Sequence, residues 1–130
     1  MTKFEQSYDP PAPIAKIASR IIESGKRLRG VSMLLDTGSD ITLLPKASLN
    51  ELGIGPSKDK KYQLVGFDGH ITSAEIFRLQ VIFLGKRFTG NYCAVDDPVG
   101  ILGRDILNQI AILYDGLNLE WKEFQSSFLR

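Results

Sequence analysis

The sequence predicts an all-β, barrel-like domain with one or two short helices. Short apolar runs alternate along the chain with turn signals, a spacing typical of many strands joined by tight connections. The chain has 130 residues, which suits a single domain. We predict that this domain covers residues 14–124, that the proline-rich residues 1–13 form a flexible leader, and that residues 125–130 form a loose tail.

The first half of the domain is predicted to contain three strands and a helix. The apolar, β-branched run 14–22 and the run 28–35 predict a hairpin about Ser24-Gly25. A short strand over 41–44 is stopped by Pro45. Because proline suits the first turn of a helix, the following residues 46–52 are predicted to be helical up to Gly53.

The second half is predicted to be built from hairpins and one further short helix. The Asp68-Gly69 pair is a strong turn signal and separates predicted strands over 62–67 and 70–84. Another strand is predicted over 88–95, and residues 103–109 suit a short helix. A last hairpin, over 110–114 and 117–121, is predicted around Asp115-Gly116.

Composition and charge exclude several function classes. The formal net charge is +1, which makes no electrostatic case for nucleic-acid or membrane-surface binding. No apolar run approaches the ~20 residues of a transmembrane helix. One cysteine, Cys93, and one histidine, His70, cannot supply an internal disulfide or a structural zinc site. We therefore expect a cytoplasmic protein with no metal and no cofactor.

The segment LLDTGSDITLLP, residues 34–45, carries the most chemical information. It places Asp36 in a tight turn, Asp36-Thr37-Gly38-Ser39, between two very apolar runs. Aspartate and glycine are common turn formers, so a plain surface turn is the alternative interpretation. The apolar flanks favour a functional carboxylate, because a surface turn rarely lies between two buried strands.

A second segment, ILGRDIL, residues 101–107, places Arg104 directly after a buried run. An arginine beside a buried strand usually needs an anionic partner. Taken alone, this segment is explained as well by a solvated arginine.

Together with VGFDGHIT, residues 65–72, these two segments resemble a retropepsin. Retropepsins are the single-domain aspartic proteases of retroviruses and retrotransposons. LLDTGSD resembles the catalytic loop, VGFDGHIT falls where the family has its flap, and ILGRDIL resembles the motif before the C-terminal helix. The resemblance implies a closed, barrel-like retropepsin fold that acts as a homodimer.

The resemblance implies roles for the loop residues. Asp36 would be the catalytic carboxylate, and Thr37 would hold the loop against its symmetry mate. Gly38 would bind the substrate backbone through its carbonyl, and Ser39 would hydrogen-bond the catalytic carboxylate. Asp40 would pair with Arg104 and help to bind the substrate main chain.

The remaining implied substrate contacts lie at the flap tip and in the side-chain subsites: Val65, Gly66, Phe67, Pro98, Val99 and Ile101. In the family the chain termini interleave into an intersubunit sheet, a role that residues 14–22 and 117–121 would take here.

The chemistry of an aspartic protease needs two carboxylates, and Asp36-Thr37-Gly38 is the only such triplet in the sequence. One chain therefore offers half a site, and a two-fold homodimer would complete it. The sequence predicts an aspartic endopeptidase that acts on a peptide or protein substrate. The alternative is a catalytically silent retropepsin-like module that binds peptides or proteins and serves in dimerisation.

Overall fold

A computed structural model of the chain describes residues 1–58, 60–66 and 68–124. In the described residues most of the regular secondary structure is β-strand, and there are two short helices, α1 (Lys46–Leu52) and α2 (Arg104–Leu107). The strands are β1 (Thr2–Lys3), β2 (Ile14–Arg20), β3 (Arg27–Leu35), β4 (Leu43–Pro45), β5 (Lys61–Val65), β6 (Ile71–Glu75), β7 (Phe77–Phe83), β8 (Lys86–Val95), β9 (Gly100–Leu102), β10 (Ile112–Asp115) and β11 (Glu120–Glu123).

Six of these strands close into a barrel in the order β2-β3-β9-β4-β8-β7, which confirms the predicted barrel-like, all-β fold. Successive side chains of a strand point to opposite faces, so alternate residues fill the interior. In β7 the buried set is Phe77, Leu79, Val81 and Phe83, each at most 9% exposed. Burial of such apolar side chains is the main favourable term in folding.

Two smaller sheets lie outside the barrel. β5 and β6 form an antiparallel hairpin with Val65 opposite Ile71. The strands β1, β11 and β10 form a three-stranded sheet in that order. Trp121 in β11 is 5% exposed and its indole N–H donates to the carbonyl of Ile14 at 3.2 Å. This tryptophan therefore attaches the terminal sheet to the barrel.

The predicted strand over 70–84 is divided in two by Ile76. The Ile76 side chain is 2% exposed, and its carbonyl accepts the backbone N–H of Ser57 at 2.6 Å. The flap-like hairpin is thereby separated from barrel strand β7.

The C-terminal hairpin begins and ends about two residues later than predicted. The carboxylate of Asp115 accepts both the backbone N–H and the side-chain amide of Asn118, at 3.1 and 2.8 Å. These bonds fix a longer turn than the predicted Asp115-Gly116 pair, and they hold the pKa of Asp115 below its ordinary value.

The short strand β9 was not predicted from the sequence. It lies between β3 and β4, with Leu34 opposite Ile101 in parallel and Leu43 opposite Ile101 in antiparallel pairing. A Cβ atom at Gly100 would lie 2.5 Å from the carbonyl oxygen of Leu43, so glycine permits this close approach.

The N-terminal segment differs from the predicted flexible leader. Thr2 and Lys3 pair with β11, and an isolated bridge joins Glu5 to Ala12. Phe4 is 3% exposed, and its ring centroid lies 5.1 Å from that of Tyr114. The segment turns back on itself over residues 6–10, and the buried Phe4 side chain anchors it to the terminal sheet.

Residues 14–22 contain β2, which pairs with β3 along one edge and, at residues 18–20, with β7 along the other. Within the described residues, 14–17 are laddered only to β3, so the intersubunit role that the resemblance implied for this segment stays a prediction. In the terminal sheet the free edges are those of β1 and β10.

Phe67 and residues 125–130, which carry one flap prediction and the predicted loose tail, lie outside the described residues. Neither described helix has the length and apolarity needed to cross a membrane.

The packed N-terminal segment predicts a large effect of Phe4→Ala. Loss of this buried ring should lower the free energy of unfolding by about 3 kcal/mol, whereas Leu117→Ala, at a side chain 97% exposed, should change it by less than ~0.5 kcal/mol. Urea unfolding followed by Trp121 fluorescence, at one fixed protein concentration, measures both. Equal stability of the two variants would contradict the observed packing of Phe4.

Candidate active site

The loop that contains Asp36 leaves the barrel directly at the end of β3 and returns through β4. The backbone N–H of Asp36 donates to the carbonyl of Leu102 in β9 at 3.0 Å. Asp36 is half-buried, while Thr37 and Gly38 are exposed. The neighbouring strand thus fixes where the carboxylate leaves the barrel, and the loop presents it at the surface.

A hydrogen bond within the loop orients the Asp36 carboxylate. The backbone N–H of Gly38 donates to Oδ1 of Asp36 at 2.9 Å. The backbone N–H of Ser39 donates to the Asp36 carbonyl at 3.2 Å. A Cβ atom at Gly38 would lie 3.2 Å from the same Oδ1, so any larger residue would crowd the carboxylate.

Arg104, the first residue of α2, holds three parts of the loop. Its guanidinium donates to the carbonyl of Thr37 at 2.6 Å and forms an ion pair with Asp40. Its backbone N–H donates to the carbonyl of Ser39 at 2.8 Å. The Asp40 side chain is 82% exposed, so the ion pair itself adds little stability, and the fixed geometry of the loop is its main consequence.

Asp105, the next residue, clamps the end of the loop. Its carboxylate accepts the hydroxyl of Thr42 at 2.6 Å and the backbone N–H of Thr42 at 3.0 Å. The Thr42 hydroxyl in turn accepts the backbone N–H of Gly103 at 3.1 Å. Thr42 is completely buried, so each of these polar groups needs its partner.

Gly103 allows the loop and α2 to touch through their backbones. A Cβ atom there would lie 2.4 Å from the carbonyl oxygen of Ile41 and 2.9 Å from that of Ser39. Every larger residue would therefore push α2 away from the loop.

Ser39 is placed differently from the role that the resemblance implied. Its hydroxyl donates to the carbonyl of Ile41 at 2.7 Å rather than to the Asp36 carboxylate. A hydroxyl has a single proton to donate, and the closed turn offers the Ile41 carbonyl to it. In this structure Ser39 supports the loop backbone.

The structure places the predicted substrate contacts in two further regions. Val65 and Gly66 lie at the end of the β5–β6 hairpin, where the Gly66 N–H donates to the His70 carbonyl at 3.0 Å. Pro98 is exposed, and Val99 is held by its N–H, which donates to Asp97 at 2.9 Å. Ile101 in β9 lies beside Leu34, two residues before Asp36.

An open apolar groove of about 550 Å³ lies beside the loop. Its walls come from the end of β3, the loop, the region after α2 and β10: Leu35, Thr37, Leu107, Ile110, Ile112 and Tyr114. Tyr114 is 61% exposed, and its neighbour Leu113 is 40% exposed. Apolar side chains are therefore open to solvent beside the loop.

The Cys93 thiol and the Tyr92 phenol are two titratable groups of the barrel close to Asp105. Burial, with a smaller contribution from the negative charge of Asp105, raises the pKa of the Cys93 thiol. The same two causes raise the pKa of Tyr92, whose hydroxyl donates to the carbonyl of Phe88 at 2.6 Å. The thiol and phenol are therefore neutral packing groups at physiological pH.

Thr42, Asp105 and the groove were not identified from the sequence. Asp105 stands next to Arg104 in the Gly-Arg-Asp motif, and that motif was the available signal. The sequence did not indicate that the groove residues line a surface, because apolar residues in strands and helices are ordinarily assigned to the core.

Three comparisons with known proteins bear on this site. A family model described as "Aspartyl protease" matches residues 22–106. The Pol polyproteins of equine infectious anemia virus, strain Wyoming and isolate 1369, are each 35% identical over 82 residues. That region covers 62% of this chain but spans only 7% of the length of these relatives.

A solved structure of EIAV protease in complex with the inhibitor HBY-793 has a similar fold. Its TM-score is 0.52 at 26% sequence identity, and the match covers 75% of this chain and 86% of that one. The matched sequence region includes the Asp36 loop and Arg104. These comparisons confirm the resemblance to retropepsins.

The clamp predicts that Asp105→Asn destabilises the chain although it changes one atom. The amide has a single acceptor oxygen, so the buried Thr42 loses one of its two bonds, at a cost of about 1–3 kcal/mol. Asp96→Asn, at an exposed carboxylate outside the clamp, is the control. Urea unfolding compares them; equal midpoints would show that the two bonds to Asp105 contribute nothing to stability.

Proposed function

The chain belongs to the aspartyl protease family, and from this premise we propose that it is an aspartic endopeptidase that works as a homodimer. The observation that carries the proposal is the Asp36 carboxylate, oriented by the Gly38 N–H on a surface loop that Arg104 and Asp105 hold in place. A catalytic group must be held close to its productive geometry, and this arrangement does so with backbone contacts.

The reaction requires a second carboxylate, which a partner chain supplies. In aspartic proteases two aspartates share one proton, because two carboxylates at such a short distance from each other cannot both be ionised. The ionised Asp36 takes a proton from a water molecule, and the water oxygen attacks the peptide carbonyl carbon. The protonated Asp36 of the second copy donates its proton to the carbonyl oxygen. The first Asp36 then donates its proton to the amide nitrogen, the second Asp36 takes a proton from a hydroxyl of the tetrahedral intermediate, and the carbon–nitrogen bond breaks to give an acid and an amine.

The apolar groove supports a dimer whose two-fold axis passes near the loop. Thr37 belongs both to the Asp36 loop and to the groove wall, so a second copy seated there brings the two carboxylates towards each other. Tyr114, 61% exposed, extends this apolar surface along the free edge of β10.

The substrate is a peptide or protein segment held against the loop. The Gly38 carbonyl and Asp40 contact its main chain, and Arg104 keeps Asp40 in position. Apolar side chains flanking the cleaved bond enter subsites formed with the residues proposed at the flap and before α2: Val65, Gly66, Phe67, Pro98, Val99 and Ile101. The apolar character of most of these residues favours apolar substrate side chains.

Replacement of the catalytic carboxylate tests the chemistry. Asp36→Asn should lower kcat/KM on a peptide library by at least about 10³-fold, since both general acid–base groups of the dimer are lost. The fold and the dimer should persist, because asparagine can still accept the Gly38 N–H. Glu51→Gln, on the exposed face of α1, is the control and should retain full activity.

The wild-type rate should follow a bell-shaped pH profile, as expected when one carboxylate must be ionised and the other protonated.

Unchanged turnover by Asp36→Asn would exclude the mechanism. A folded wild-type dimer that binds peptides but cleaves none would favour the alternative of a binding module.

The dimer surface is tested by introducing a charge into it. Tyr114→Glu should weaken dimerisation at least about tenfold, because association would bury an unpaired carboxylate. Leu117→Glu, at a side chain 97% exposed in the turn after β10, should leave it unchanged. Sedimentation equilibrium gives both dissociation constants, and specific activity should fall on dilution. Full activity of a monomeric Tyr114→Glu variant would contradict the shared site.

A further inference from the structure

One outer face of the barrel carries a concentration of positive charge. We call it the basic face and define it by six cationic residues on four adjacent strands: Lys16 and Arg20 in β2, Arg27 and Arg29 in β3, Arg78 in β7 and Arg87 in β8. Five of these side chains belong to exposed residues, and Arg20 is half-buried. The interior positions between the cations of β2 and β7 are apolar except for the buried Ser19.

These four strands contain no aspartate or glutamate. They also carry Lys86, which pairs with Glu123. The rest of the chain holds nine basic and 15 acidic residues, a net charge of −6. The overall net charge of +1 therefore combines basic strands with an acidic remainder. The acidic residues nearest in sequence to the six cations are Glu23, in the turn after β2, and Glu75, which lies opposite Lys61.

Three of the six cations, Lys16, Arg20 and Arg78, donate hydrogen bonds to neutral side chains. Arg20 donates to the side-chain carbonyl of Gln80 at 2.9 Å, and Arg78 to that of Asn91 at 3.3 Å. Arg20 also stands directly opposite Arg27 across β2 and β3. Like charges opposite each other weaken a sheet, and neutral partners leave the charge uncompensated. Such an arrangement suits an anionic ligand from outside.

We propose that the basic face binds the phosphate backbone of a double-stranded nucleic acid without reading its sequence. Five of the six cations are arginines, whose planar guanidinium matches phosphate with two parallel hydrogen bonds. A protein partner would need an apolar centre to its interface. The outward apolar residues of this face, Ala18 and Ile82, are half-buried and offer little apolar surface. Nucleic-acid interfaces are polar and positively charged.

The aromatic residues of the same strands favour a double-stranded over a single-stranded nucleic acid. Phe77, Phe83, Phe88 and Tyr92 are all buried, so none of them offers a platform on which unpaired bases stack. Contacts to phosphates alone carry no sequence information. None of the six cations lines the groove proposed for the dimer, so both surfaces are available together.

Fluorescence anisotropy with a labelled 20-base-pair DNA duplex, and with an RNA duplex of the same sequence, tests the proposal. In about 50 mM salt the wild-type protein should bind with micromolar affinity, and about four to six phosphate contacts should weaken binding by ~10²–10³-fold at 200 mM. The triple variant Arg29→Gln, Arg78→Gln, Arg87→Gln should bind at least ~10-fold more weakly, with a shallower salt dependence.

Two matched variants separate position from charge. Lys46→Gln, Lys58→Gln, Lys122→Gln removes three exposed charges outside the face and should change binding less than about threefold. Arg29→Lys, Arg78→Lys, Arg87→Lys keeps the charge and should keep most of the affinity. Equal loss in the lysine-to-glutamine control, or no duplex binding at 50 mM salt, overturns the proposal. So does equally tight binding of polyglutamate, which would indicate an acidic protein partner.

Discussion

The geometry of the candidate site depends on the contact between the Asp36–Asp40 loop and the beginning of α2. Arg104 and Asp105 are adjacent in sequence, yet they bind opposite ends of the loop, through the Thr37 carbonyl and through Thr42. Gly103 lets the two backbones approach closely enough for both. A surface turn, which would otherwise sample many conformations, is thereby held to one.

This contact also links the chemistry to association. The loop that carries Asp36 follows β3, and its residue Thr37 lines the apolar groove. Under the proposed function, a second copy in that groove would supply the missing carboxylate and cover apolar surface at once. The chain therefore needs no second catalytic motif, and the requirement for two carboxylates becomes a requirement for two chains.

Local sequence signals explain much of the fold and part of the site. Apolar runs and turn pairs sufficed for five of the six barrel strands, the two helices and the position of the Asp36 loop. They did not suffice for β9, which has three residues and depends on its neighbours β3 and β4. Nor did they reveal the anchoring of Phe4, because a single aromatic residue in a proline-rich segment has no periodicity.

The site residues divide in the same way. The ion pair of Asp40 with Arg104 joins two motifs that were visible in the sequence. The hydrogen bonds of Ser39 and Thr42 depend on where a turn closes, which no spacing rule specifies. Net charge likewise averages over the surface, so the value of +1 concealed the basic face that strand pairing brings together.

A mixing experiment tests most directly whether each active site needs Asp36 from two chains. Wild-type protein and the Asp36→Asn variant are mixed in equal amounts, allowed to exchange subunits, and assayed at a fixed total concentration. If only dimers with two aspartates cleave peptides, the activity falls to about one quarter of that of the same total amount of wild type. An activity of about one half would mean that each chain acts alone, and it would contradict the shared site.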